Sequence, residues 1–176
     1  MNDMSHVKPI TSPEPATVRL ERMLPGPIER VWAYLTESEK RKLWFAGGEF
    51  EPRAGGKAEL RFDHTLLSSE PTPPEMKMKQ SEWTETITRF EPPRVLAYTF
   101  KHGGPESEVT FELEPRGKGV LLILTHRRIV DRSKKLGLGS GWAAHIGILE
   151  DRLNGEEPRG FWSNHARIRK EFEALL

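Results

Sequence analysis

The sequence predicts a single domain of the α+β class, with an antiparallel sheet between helical segments. Three observations lead to this prediction. Most of residues 47–127 alternate apolar and polar side chains with a period of two, and Gly or Pro separates successive runs. Segments with the period of a helix lie before and after this region. The 176 residues contain no internal repeat or long low-complexity tract, so their length fits one domain.

The N-terminal part predicts a leader, a strand and two short helices. Residues 1–16 lack periodicity and are rich in proline, so we predict a disordered leader. The segment TVRLERML, from Thr17, alternates as a half-buried strand does, and Pro25 and Pro27 end it. A helix and then a second short helix, running to about Trp44, follow. The first helix is indicated by apolar residues at the spacing i, i+3, i+4, i+7, namely Ile28, Val31, Trp32 and Leu35.

The middle of the chain predicts further strands joined mostly by short turns, which favours an antiparallel meander. These strands are GEFEP, KAELRFDH, EWTETITRFE, RVLAYTFKH, SEVTFELEP and VLLILTHRRIV. The segment SSEPTPPEMKMKQ interrupts the series and is long enough for a lid or a mobile tip.

Helical periodicity returns towards the C-terminus. The segment SGWAAHIGILEDRLNG predicts a long helix, with Gly155 placed as its C-terminal cap. Ser163 predicts the N-cap of a last helix, NHARIRKEFEALL. Because this helix is short, its apolar face needs a partner on its own domain or on a second subunit, so a homodimer is one expectation.

The composition excludes several function classes. Lys and Arg total 27 against 26 Asp and Glu, a net charge of +1, so no overall positive field attracts nucleic acid. No apolar run is long enough to span a membrane, and the N-terminus lacks an apolar secretory core, so we expect a soluble, cytoplasmic protein. There is no cysteine, and the histidines show no HxH or HExxH spacing, so we predict no metal site and no cofactor.

Several segments resemble one known family. The opening PIERVWAYLTESEKRKLW, the strand pair FEPPRVLAYTF, the strand VTFELEP, the ending LTH and the helix GSGWAAHIGILEDRL occur in the order of that family. The chain is similar to the START-like and Bet v 1-like (SRPBCC) superfamily, in the branch named after activator of Hsp90 ATPase 1 and grouped with polyketide cyclase-like proteins. The resemblance implies a helix-grip fold, in which a curved antiparallel sheet of about seven strands wraps around a long C-terminal helix. It covers about residues 17–155, and we therefore predict one domain over residues 17–157 and an extra helical extension over residues 158–176.

A sheet that bends around one helix commonly leaves a cavity, and binding of a small apolar or amphipathic ligand is therefore the first function expected. Strand parity and the helix stripe nominate the residues that line it. The expected ligand-binding residues are Trp44, Leu60, Phe62, His64, Trp83, Tyr98, Phe100, Phe111, Leu122, Leu124, His126, Trp142, His145, Ile146 and Leu149.

Three polar residues are candidates for acid–base catalysis. His126 shares the parity of the apolar side chains of its strand, and His145 flanks the stripe of the long helix, so both are expected to point inward. A core histidine bonded to a backbone carbonyl is the structural alternative for each. Glu85 points inward only if Trp83 does, and a bulge is needed if Phe90 is to be buried as well.

These residues leave three functions to compare. The first is a non-catalytic carrier or sensor of a small apolar molecule. The second is a cyclase, dehydratase or hydrolase that uses His126, His145 and Glu85. The third, regulation of an Hsp90-type chaperone, follows from the family resemblance alone. Arg22 is a charge on an apolar strand face, which could neutralise Glu85 or an acidic ligand, or extend to the rim.

Overall fold

The computed structural model describes residues 10–77 and 81–176. Six antiparallel strands form one sheet in the order β1-β6-β5-β4-β3-β2. The strands are β1 (Val18–Pro25), β2 (Lys57–Arg61), β3 (Glu82–Glu91), β4 (Val95–Thr99), β5 (Glu108–Arg116) and β6 (Gly119–Arg127). The helices are α1 (Ile28–Thr36), α2 (Ser38–Arg41), α3 (Arg132–Leu153) and α4 (Phe161–Leu175). Short 3-10 turns occupy His64–Leu66, Pro74–Met76 and Lys101–Gly103.

The sheet curves around α3, as expected for the helix-grip fold. In β1, every second residue from Val18 to Leu24 is buried, and this strand pairs along its whole length with β6. The buried face of the sheet packs against α3, whose Trp142, Ile146 and Leu149 are at most 2% exposed. α4 then packs on the outside of α3, where the ring of Phe172 lies against Gly139. The predicted α+β class and the helix-grip architecture are confirmed.

Three element boundaries differ from the sequence prediction. The sheet has six strands and not about seven, because GEFEP and the glycine before it form only isolated bridges, between Gly47 and Arg61 and between Phe50 and Ala58. Gly48 has a positive φ and backbone atoms of β2 lie directly against it, so this segment bends away before it can form a ladder. α3 begins two turns early.

The early start of α3 has a clear physical cause. The carboxylate of Asp131 accepts a hydrogen bond from the backbone N–H of Lys134 at 2.7 Å and caps the helix. Basic residues and helical glycines occupy the first turns, so no apolar period marks them in the sequence. α4 likewise begins at Phe161, and the predicted cap Ser163 lies inside its first turn.

The ends of the predicted domain contact the sheet and helices. Of the predicted leader, Thr11 pairs with Arg19 and Ile10 is largely buried, while residues 1–9 lie outside the described residues. The predicted lid or tip is described as far as Lys77, and residues 78–80 of it are not. Across the described ranges, the helices are all too short or too polar to cross a membrane.

Candidate functional site

A pocket of about 300 Å³ lies at one end of the fold, between β3 and the segments that follow β2 and β4 on one side, and the first half of α3 and the start of α4 on the other. Aromatic side chains and histidines form most of its wall, and His102 lies at the exposed mouth. The lining residues are Phe45, Phe62, His64, Trp83, Phe100, His102, Gly137, Leu138, Gly141, Trp142, His145, Phe161, Trp162 and His165. This set contains no Asp, Glu, Lys or Arg. The described wall therefore offers rings and neutral polar groups to a ligand.

The structure brings only part of the expected ligand-binding set to this pocket. Six of the nominated residues line it, namely Phe62, His64, Trp83, Phe100, Trp142 and His145. The others fill the space between sheet and helix and are at most 1% exposed: Trp44, Leu60, Tyr98, Phe111, Leu122, Leu124, His126, Ile146 and Leu149. Their side chains interdigitate across the sheet–helix interface as a packed core. The pocket that the described residues form therefore lies at one end of this packed core.

The boundary between the packed core and the pocket passes between the neighbouring residues Trp44 and Phe45. The indole N–H of Trp44 donates to the carbonyl of Tyr34 at 2.7 Å, so this ring is held inside the core. Phe45, the next residue, lines the pocket and packs on Trp142 with ring centres 4.9 Å apart. The fully buried Arg41 holds this turn in place by donating to the carbonyls of Thr36, at 2.9 Å, and Ala46, at 2.8 Å. Burial lowers the pKa of Arg41 to about 10.

His126 is a satisfied core histidine. The indole N–H of Trp142 donates to its Nδ1 at 3.0 Å, so the ring proton must be on Nε2. Nε2 then donates to the hydroxyl of Ser107 at 3.1 Å, and that hydroxyl donates to the carbonyl of Phe100. Burial lowers the pKa of His126 to about 3, so the ring is neutral near pH 7. Both nitrogens are committed to this chain of hydrogen bonds, and His126 itself does not line the pocket.

His145 is also buried, but only one of its two ring nitrogens has a hydrogen-bond partner within the described chain. Its Nδ1 lies 2.8 Å from the carbonyl of Trp44, which can only accept, so Nδ1 carries the proton. Burial, together with a smaller effect of the nearby His64, lowers the pKa of His145 to about 3. Among the described residues, no group forms a hydrogen bond with Nε2. The neutral ring therefore leaves a hydrogen-bond acceptor at the pocket wall.

Of the other three histidines of the wall, His64 was predicted from the sequence, and His102 and His165 were not. Burial is the main cause that lowers the pKa of His64, of His102 and of His165. His64 lies between the two flanking elements, with its ring 5.8 Å from His145 and 5.1 Å from Trp162. A lowered pKa favours the neutral imidazole, so the wall carries little charge near neutral pH.

Glu85 is buried, as one of the sequence alternatives requires, but it has a structural role. Its carboxylate accepts a hydrogen bond from the hydroxyl of Thr99 at 2.8 Å and one from the backbone N–H of Lys101 at 2.9 Å. Lys101 starts the turn that carries His102 to the pocket mouth. The pairing of β3 with β4 shifts between Ile87 and Arg89, which is the bulge that the sequence pattern requires.

Arg22 does not meet Glu85. Its guanidinium lies 3.4 Å from the carboxylate of Glu150 on α3, and burial lowers its pKa. Arg159 joins the same group of charges, with contacts of 3.0 Å to Glu150 and 2.8 Å to Asp151. Because Arg159 lies in the connection between α3 and α4, this partly buried network of charges fixes the path by which α4 reaches the pocket.

Two further donors belong to pocket residues. The indole Nε1 atoms of Trp83 and Trp162 are buried, and neither has a hydrogen-bond partner in the part of the chain that the structure describes.

The sequence analysis did not identify Phe161 and Trp162 as pocket residues, because the last helix was expected to start after them. No group of three or more His, Asp or Glu side chains among residues 10–77 and 81–176 could hold a metal ion.

Comparison with known proteins places this fold in a family. Among solved structures, the chain is similar to the protein encoded by gene BPP1335 from Bordetella parapertussis, with 40% identity, a TM-score of 0.81, and coverage of 97% of this chain and 92% of that one. It is also similar in fold to CalU16 from Micromonospora echinospora, with 22% identity, a TM-score of 0.67, and coverage of 90% of this chain and 87% of that one.

A third structural neighbour is the Aha1 dimer from Colwellia psychrerythraea, with 14% identity, a TM-score of 0.60, and coverage of 78% of this chain and 95% of that one. No curated protein matches the sequence. The sequence model of the family described as "Activator of Hsp90 ATPase homolog 1-like protein" matches residues 25–154. The match spans most of the chain, and the chain therefore belongs to the activator of Hsp90 ATPase homolog 1-like family.

Proposed function

We propose that the protein binds a small, uncharged, ring-containing molecule in the pocket beside the first half of α3, as a carrier or sensor and not as an enzyme. The observation that carries this proposal is the wall itself. It encloses about 300 Å³ with aromatic rings and neutral histidines, and none of its described residues is charged. This volume is at the lower end of the range for small-molecule sites, and apolar walls with a few polar groups are their usual composition.

The position of the candidate catalytic groups supports binding over catalysis. His126 has both ring nitrogens in hydrogen bonds inside the core, and Glu85 uses its carboxylate to hold a turn. Neither residue lines the pocket. The described wall also lacks Ser, Thr, Lys and Tyr, so it provides imidazole as its sole acid–base group and no hydroxyl or amine nucleophile. An enzyme here would depend on His145 and its neighbour His64.

A direct test is native mass spectrometry of the protein purified without added ligand, which we expect to show a co-purifying small molecule. A titration tests the same proposal with defined probes, because Trp83, Trp142 and Trp162 lie in the wall and their fluorescence reports on occupancy. We expect Leu138→Trp, which fills the pocket, to weaken binding of 2-naphthol at least tenfold.

The matched control is Leu175→Trp, which adds the same ring at an exposed position near the end of α4. It should bind 2-naphthol as the parent protein does. Equal affinities for the parent protein and Leu138→Trp, or no co-purifying molecule together with no binding of neutral aromatic probes, would overturn the proposed function.

Regulation of an Hsp90-type chaperone is the second candidate, and the family description favours it. Capture of a purified Hsp90-type ATPase by this protein, with a change in its ATP hydrolysis, would establish that role.

A homodimer is supported by the dimeric structural neighbour. The two buried aromatic residues of α4, Phe161 and Phe172, are however already covered within one chain. The mass in solution decides between a monomer and a dimer.

A further inference from the structure

Three glycines alternate along the first half of α3, and they lie in two different environments. Gly137 and Gly141 are one turn apart and both line the pocket, where a methyl group added at either position would meet no atom within 4 Å. Gly139 faces away from the pocket, and a methyl group there would collide with the ring of Phe172. Close packing of α4 explains Gly139. No contact within the described chain explains the other two.

Bare backbone in a helix is unfavourable unless something uses it. Glycine in a helix interior is less stable than alanine, because the unfolded chain loses more conformational freedom on folding. Gly137 and Gly141 have ordinary helical backbone, so neither requires glycine for a positive φ. Alanine would fit at both positions and would stabilise α3. The two glycines instead leave a strip of partly exposed helix backbone along the pocket wall.

A polar group continues this strip. His145 follows Gly141 by four residues and therefore lies on the same face of α3, one turn further along. The residue is 7% exposed, its Nδ1 donates to the carbonyl of Trp44, and its Nε2 has no hydrogen-bond partner among the described residues. A neutral imidazole whose Nδ1 is protonated offers Nε2 as an acceptor. A ligand that lies on the strip would satisfy this nitrogen by donating a hydrogen bond.

The opposite walls set the shape of the space above the strip. Rings from Phe62, Trp83 and Phe100 on the sheet side, and Trp162 from α4, enclose it. Phe62 and Trp83 are stacked with ring centres 4.6 Å apart, so they present an ordered aromatic surface. Aromatic rings stack on flat partners at van der Waals distance, and a side chain on the helix would push such a partner away.

We propose that Gly137 and Gly141 form a flat floor that selects a planar aromatic alcohol, whose ring lies on the exposed backbone of α3 and whose hydroxyl donates to Nε2 of His145. This inference rests on the proposed function and specifies the class of ligand. The two glycines are specificity-determining residues, since they contribute to binding by what they leave unfilled.

The test compares stability and binding in the same variants. Gly137→Ala and Gly141→Ala should each raise the melting temperature by about 2–4 °C. The double variant should bind 2-naphthol about tenfold more weakly, because two methyl groups occupy the floor. Decahydro-2-naphthol carries the same hydroxyl on puckered, saturated rings. The parent protein should prefer the planar probe, and the double variant should lose most of that preference.

Gly139→Ala is the control for the helix itself, and it should lower the melting temperature because of the collision with Phe172. If the double variant is more stable and still binds 2-naphthol with the parent affinity and preference, the proposed role of the two glycines is contradicted, while the proposed binding function is not. If the parent protein binds neither probe, and its pocket-filling variant Leu138→Trp behaves identically, the proposed binding function itself is contradicted. A double variant with a lowered melting temperature would also contradict the inference, since it would show that the fold requires these glycines.

Discussion

Two buried histidines on facing elements of this protein, His126 on β6 and His145 on α3, look alike in the sequence and differ in the structure. Burial lowers the pKa of each to about 3, so both are neutral near pH 7. His126 lies where sheet and helix interdigitate, and both of its nitrogens are bonded. His145 lies where α3 passes the end of the packed core, and one nitrogen remains available. The difference shows that burial alone does not identify a functional histidine, whereas an unused hydrogen-bonding atom beside a cavity can.

The largest expected effect on stability comes from replacing His126, whose two ring nitrogens are both hydrogen-bonded. His126→Phe removes hydrogen bonds to Trp142 and Ser107 and leaves the indole N–H of Trp142 buried without an acceptor. We expect the free energy of unfolding to fall by about 3–4 kcal/mol, because an unpaired buried donor adds to the lost bonds and to the misfit of the larger ring. Urea denaturation measures this value. A loss below about 1 kcal/mol would show that the network of His126 is not structural.

Acid should destabilise the protein through both histidines together. Each has a pKa near 6.5 when unfolded and about 3 when folded, so between these values the unfolded chain binds more protons. Above pH 6.5 both histidines are neutral in the folded and the unfolded chain, so they do not lower the free energy of unfolding there. It should decrease as the pH falls towards 3, by up to about 1.4 kcal/mol per pH unit for each histidine.

Chemical denaturation at a series of pH values tests this dependence. His145→Phe should reduce the slope by up to about 1.4 kcal/mol per pH unit, since one of the two most strongly shifted histidines is then absent, and an unchanged slope in this variant would contradict the assignment. His64, His102 and His165 contribute in the same direction, because burial also lowers their pKa values.

Glu85 belongs to the structural side of the comparison, and its replacement should have a smaller effect. In Glu85→Gln the amide retains one acceptor oxygen, and its NH2 group then faces the hydroxyl of Thr99 or the N–H of Lys101. We expect a loss of about 1–2 kcal/mol in the free energy of unfolding, since one hydrogen bond to a charged group is replaced by a mismatch. Thr99→Val removes only one of the two bonds and should cost less. Full stability of Glu85→Gln would show that the carboxylate does not hold the turn before His102.

The sequence allowed a good prediction of the sheet and only a partial one of the site. Alternation located all six strands, β1–β6, and it correctly placed His126 and Tyr98 on the buried face. It could not show whether buried side chains meet one another or leave space, because that depends on the three-dimensional fit of residues far apart in sequence. The pocket wall includes Phe161 and Trp162 from a helix whose start carries no capping side chain, and His102 from a turn without periodicity. The glycines that shape the floor of the pocket are the same residues that concealed the start of α3.

The smallest stability change should accompany the clearest change in binding, in His145→Phe. Phenylalanine preserves the ring contacts of His145 with Phe45 and Phe161, whose centres lie 5.1 and 4.8 Å away, and it loses the hydrogen bond to the carbonyl of Trp44. We expect a loss of about 1 kcal/mol in the free energy of unfolding. Affinity for 2-naphthol should fall about tenfold, and affinity for naphthalene, which has no hydroxyl to donate, should hardly change. The matched substitution His126→Phe should give the opposite pair of results, a large loss of stability and a nearly unchanged affinity in the folded protein. Equal losses of naphthol binding in the two variants would mean that the two histidines act through the fold alone, and that the unused nitrogen of His145 does not contact the ligand.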